Sequence, residues 1–79
     1  MRKIVLNNKH IITVELSVLN QTEPIFAMKN GEFKGMLIKE TQGWICRTGG
    51  SLGINGHHNT RTKCIESCES GFGYEFFVN

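Results

Sequence analysis

Apolar and polar residues alternate from Ile12 to Val18, with Ile12, Val14, Leu16 and Val18 set against Thr13, Glu15 and Ser17. A period of two over this length predicts a strand with one buried face. Arg2 to Leu6 predicts a shorter strand before it, and Asn7-Asn8 suits a tight turn between the two. Asn20 to Pro24 predicts a loop, because Pro24 has no amide hydrogen to give a ladder.

The segment Ile25 to Met36 carries the clearest local signal. Asn30-Gly31 suits a type I′ turn, which needs two left-handed residues, and it lies between apolar-patterned arms. A two-residue loop predicts the pairs Lys29 with Glu32, Met28 with Phe33 and Phe26 with Gly35. Met36 to Glu40 extends the strand, Thr41-Gln42-Gly43 turns it, and Trp44 to Arg47 returns, giving a three-stranded meander. A glycine-rich loop, Gly49 to Gly56, then leads into Thr60 to Ser70. There the spacing of Cys64, Ile65 and Cys68 predicts a helix with one apolar face, capped by Asn59 or Thr60 and stopped at Gly71. Tyr74 to Val78 predicts a closing strand. The expected fold is α+β: an antiparallel, meander-rich sheet of five to six strands, one short helix over about residues 60–70 packed on one face, and a C-terminal strand.

Length and composition narrow the function classes. Seventy-nine residues suit a single small globular domain, 1–79, with no room for a deep substrate cavity beside a core. The hydrophobic share of 39% against 20% charged residues fits a folded chain rather than a disordered one. The net charge of +2 neither requires nor forbids a nucleic-acid partner. The apolar run Ile4-Val5-Leu6 is too short for a signal-peptide core, and no stretch approaches a membrane span of roughly 18 residues. With three cysteines and no such signal, reduced thiols in the cytoplasm are expected, and no membrane association.

Candidate chemistry concentrates between Cys46 and Gly73. Cys46, His57 or His58, Cys64 and Cys68 make up a Cys3His ligand set of a kind that binds structural zinc. The close-set pair Cys64 and Cys68 lies on the helix face that also carries Ile65, so an apolar core stripe is the simpler account and no cofactor is expected. Arg61 and Lys63 stand in the first helical turn, where the helix dipole disfavours cations, while Glu66 and Glu69 stand near its end. A bound phosphate or a partner's carboxylate would offset that placement, with His57 and His58 as further donors. On this reading, replacing Arg61 and Lys63 with Ala leaves or raises thermal stability. Gly49 to Gly53 matches G-x-S-x-G as a string, but the strand–elbow–helix context and the acid partner are missing, so no catalytic residue is expected and the chain is read as non-enzymatic. Phe26, Phe33, Trp44, Tyr74 and Phe76 offer stacking surfaces for bases, with Lys29, Lys34, Lys39 and Arg47 for phosphates.

The leading expectation is a small binding or inhibitor protein that occupies a surface of a protein or ribonucleoprotein partner. A phage-type inhibitor of host defence, such as an anti-CRISPR protein, fits the size, charge and compartment. The partner- or anion-contacting residues would be His57, His58, Arg61, Lys63, Arg47, Lys34 and Lys39. The alternatives are a nucleic-acid-binding module that uses the same basic loop with the sheet aromatics, and a zinc-stapled domain. A homodimer formed through a free edge or an apolar patch is a further expectation.

Overall fold

The computed structural model describes residues 1–6, 16–48 and 53–79, and for Ser17 and residues 53–55 the backbone alone. The elements are β1 (Arg2–Lys3), a 3-10 turn (Leu16–Val18), β2 (Phe26–Lys29), β3 (Glu32–Glu40), β4 (Gly43–Thr48), β5 (Gly53–His58), α1 (Arg61–Phe72) and β6 (Glu75–Val78). The strands form one antiparallel sheet in the order β1-β6-β2-β3-β4-β5. The fold is α+β, the sheet is open, and the C-terminal strand β6 lies between β1 and β2 rather than at an edge.

The meander forms as its turn chemistry dictates. Asn30 and Gly31 both have positive φ, 53° and 80°, so the primed turn closes the hairpin with Lys29 opposite Glu32 and Met28 opposite Phe33. Beyond that point the predicted register fails. Gly35 faces Ala27 and Met36 faces Phe26, because the ladder shifts by one residue between Ala27 and Met28. The shift leaves Lys34 as the extra residue of a bulge. Its physical reason lies on the next strand: a Cβ at Gly35 would sit 2.3 Å from the Arg47 carbonyl oxygen. The bulge brings the one residue without a side chain to the place where β3 and β4 backbones press together.

Two other expectations are corrected. Leu16 to Val18 is a 3-10 turn, not the end of a strand; Ile12 to Glu15 and Asn7-Asn8 lie outside the described residues. Leu16 and Leu19, three apart, pack against the core, while Val18 is exposed, an arrangement that a helical turn provides and a strand does not. The glycine-rich segment is not a loop over its second half. Gly53–His58 is an edge strand paired to β4, with His58 opposite Trp44 and Ile54 opposite Cys46; Gly49 to Leu52 lie outside the described residues.

Helix α1 starts at Thr60, whose side-chain oxygen accepts the Lys63 amide, as expected. It runs through Gly71 and ends two residues later at Gly73, which is left-handed (φ 70°). The Gly73 amide donates to the Glu69 carbonyl and the Tyr74 amide to the Cys68 carbonyl. A glycine inside a helix weakens it without ending it; the left-handed residue ends it. Cys64, Ile65 and Cys68 are fully buried on the face that packs across β4 and β5. They join Ile4, Ala27, Leu37, Trp44, Cys46, Phe76 and Val78 in one core on that side of the sheet.

Candidate functional site

Strand parity sorts the side chains into two faces. Ala27, Leu37, Trp44, Cys46 and Phe76 point to the helix side. Their neighbours Phe26, Met28, Met36, Ile38, Ile45, Arg47, Phe77 and Glu75 therefore point to the other side. Phe33, opposite Met28, joins them and is 58% exposed, and Ile38 is 38% exposed. The Phe26 and Phe33 rings lie 6.2 Å apart and tilted, a favourable aromatic pair. Among the described residues no helix covers this face.

Its two margins carry charges, and those charges are paired. Lys3 Nζ lies 2.6 Å from Glu75 Oε2 at the β1–β6 margin. Toward the β5 edge, Arg47 donates to Glu40 through Nε (2.8 Å) and an Nη (2.7 Å), and His57 Nε2 lies 2.8 Å from the same carboxylate. The register puts the Ile38–Ile45 pair between Glu40 and Arg47, so the bridge spans Ile45. That accounts for Ile45 being only 4% exposed on a face without a helix. The Arg47 guanidinium, and after it His57, hold the Glu40 carboxyl down at about 2, from an ordinary 4.5. Glu40 in turn raises Arg47.

On the helix side a second group gathers around Trp44. Arg61 donates to the carbonyls of Asn20 (3.1 Å), Leu16 (3.3 Å) and Leu19 (3.1 Å), closing the end of the 3-10 turn. Its guanidinium carbon lies 5.5 Å from the Trp44 ring centroid, and Lys39 Nζ approaches the same ring to 6.0 Å. A cavity of about 310 Å³ opens here between the 3-10 turn, Trp44 and the start of α1.

The three thiols lie together in the core. Contact with Cys68, and then burial, push the Cys46 and Cys64 thiols up. Cys68, which accepts from Cys46 and then Cys64, is drawn down against its burial, with a smaller pull from His58. His57, on the opposite face, is turned to Glu40. The set Cys46, His57, Cys64 and Cys68 is thus not assembled, and among the described residues no group of three or more His, Cys, Asp or Glu could hold a metal ion. His58 faces the helix side opposite Trp44, and its Nε2 is buried without a hydrogen-bond partner among the described residues.

The candidates singled out in the sequence therefore fall into separate places. Arg47 and His57 converge on Glu40; Lys39 and Arg61 converge on Trp44; Lys34 sits at the β3 bulge, and Lys63 is exposed in the first helical turn. His57 and His58 face opposite ways, because β5 is a strand and successive residues of a strand alternate, and Arg61 is turned to the carbonyls of Leu16, Leu19 and Asn20; Gly49 to Leu52 of the glycine loop lie outside the described residues. Of the five candidate stacking rings, Trp44 and Phe76 are core residues. Sequence reasoning missed Glu40 as the hub of the Arg47–His57 cluster, and also the apolar set Met28, Met36, Ile38 and Phe77. Once the meander is paired, parity alone puts these on one face.

No helix among the described residues is long and apolar enough to cross a membrane. No protein-family model matches the chain, and no curated protein or solved structure is significantly similar to it.

Proposed function

We propose that this chain is a non-enzymatic binding protein that presents the open sheet face to a protein partner. The carrying observation is the continuity of Phe33 and Ile38, both exposed, with the half-buried Phe26, Met28, Met36 and Phe77. Exposed apolar surface of this kind, rich in aromatic and methionine side chains, is typical of the centre of a protein interface. The paired margins support a protein over a nucleic acid. Lys3, Arg47 and His57 already face carboxylates, so phosphates would have to break those pairs to gain cations. Occupying the surface of a host-defence protein or ribonucleoprotein, as anti-CRISPR proteins do, is the setting that size and charge favour.

Charge placed on the patch tests the reading. Phe33→Lys, which gives up the ring pair with Phe26, and Ile38→Lys should each leave the chain folded with a melting temperature within about 10 °C of the parent, since both positions are exposed. They should abolish retention of a stoichiometric partner from the native host. Retention unchanged in both variants would refute the assignment of this face. A dimer that dissociates in Phe33→Lys would assign the face to a second copy instead. Retardation of RNA or DNA that falls steeply with salt would favour the nucleic-acid module.

A further inference from the structure

We infer that the cavity beside Trp44, on the side of the sheet away from the proposed protein-binding face, is a binding site for a small phosphate monoester. The cavity holds about 310 Å³, at the lower end of ligand sites, which run from roughly 300 to 1,000 Å³. Two cations from different elements enter its wall, Lys39 from β3 and Arg61 from α1, and among the described residues no acid lines it. Neither cation is ion-paired with a carboxylate among the described residues. Both instead approach the same indole, at 6.0 and 5.5 Å from its centroid. Each cation gains about 0.5–1 kcal/mol from the ring, but the two repel each other there, whereas a doubly charged anion between them is attracted to both.

The donor chemistry suits a phosphoryl group. The three carbonyls that Arg61 engages occupy three of the five N–H donors of a guanidinium, and two remain. Those carbonyls also fix its plane, so it is held in place for a ligand at little further entropic cost. Lys39 adds a mobile ammonium. The hydroxyls of Thr60 and Thr62 and the amide of Gln21 line the same hollow and can donate to the remaining oxygens. Trp44 is 6% exposed, so it forms a wall and does not stack on a ligand. The space beyond one phosphate is left for the organic part of an ester.

Trp44 is the sole tryptophan and so reports on its own site. The intact protein is titrated with inorganic phosphate and, separately, with glycerol 3-phosphate, at ionic strength held constant with sodium chloride, while indole fluorescence is followed. The expected result is a saturable change, tighter for the ester. Lys39→Gln should weaken it by about tenfold or more, as loss of one charge-assisted contact requires, with an unchanged melting temperature. Lys63→Gln should bind like the parent. A saturable response to inorganic phosphate alone would assign the site to free phosphate and overturn the ester. No saturable response to either probe up to about 10 mM, or equal affinity in Lys39→Gln, would overturn the site altogether.

Discussion

Replacing Arg61 with Ala is expected to destabilise the fold, against the expectation raised by its position in the helix alone. At the first turn a cation costs about 0.3–1 kcal/mol against the helix dipole, and removing it should return that amount. The contacts that Arg61 makes outweigh this cost. It forms part-buried hydrogen bonds to Leu16 and Leu19 and an exposed one to Asn20. Bonds from a charged donor contribute about 1 kcal/mol each once water rehydrates the freed carbonyls, and less at the exposed one. Contact with the Trp44 ring adds about 0.5–1 kcal/mol. The net loss is about 1.5–3.5 kcal/mol, and for a domain of this size that lowers the melting temperature by about 6 °C or more. Arg61→Lys keeps the charge but loses the planar fork, so it should fall in between. Lys63→Ala removes an exposed cation from the same turn and should leave the melting temperature unchanged or slightly raised. Thermal unfolding followed by circular dichroism on the three variants decides the matter. Arg61→Ala melting at or above the parent temperature would refute the clamp and restore the dipole argument.

Three further outcomes follow from the geometry. Because Arg47 and His57 depress the Glu40 carboxyl from 4.5 to about 2, their pairing contributes stability that is present above pH 4.5 and is lost as the pH falls toward 2; urea unfolding across that window should show a flatter acid limb in Glu40→Gln than in the parent. Gly35→Ala sets a methyl 2.3 Å from the Arg47 carbonyl oxygen and should cost about 1–3 kcal/mol or more, read as a lower urea midpoint; a neutral result would mean the β3–β4 approach is looser than described. Cys46, Cys64 and Cys68 are fully buried, so a thiol reagent should label them only at the rate of opening and label all three at once in denaturant, while a chelator should not shift the melting temperature.

The parts of the fold that local chemistry dictates were legible in the sequence. Asn30-Gly31, the Thr60 cap and the Cys64–Ile65–Cys68 stripe each act over a few residues, and each forms as its local chemistry requires. What escaped depended on distant partners. The Lys34 bulge answers a clash between Gly35 and a strand twelve residues on. Leu16 to Val18 continues an alternating pattern yet folds as a 3-10 turn, and the carbonyls of Leu16, Leu19 and Asn20 meet Arg61 more than forty residues away. Gly53–His58 lacks the apolar alternation of a strand because it is an edge held by β4, and its glycines imitate a loop. The candidate site dispersed for the same reason. Nearness in sequence between His57, His58 and Arg61 suggested one centre, whereas a strand sends His57 and His58 to opposite faces and a long-range clamp engages Arg61.

The central place of β6 constrains how the molecule comes into being. On its inner flank β6 pairs with β2, and on its outer flank it is, among the described residues, the strand that β1 joins. The meander β2–β3–β4–β5 with its helix can form as it emerges from the ribosome, but the ladder partners that β1 has among the described residues, Phe77 and Val78, arrive last. Closure of the sheet is thus a contact between residues more than seventy positions apart, a long loop to close and a slow step. Until it happens, the β2 edge and the apolar side chains of Ile4 and Ala27 are open to other chains. Shortening the chain by β6 would leave β1 unattached and the middle of the sheet turned into an edge, a form expected to aggregate rather than to bind.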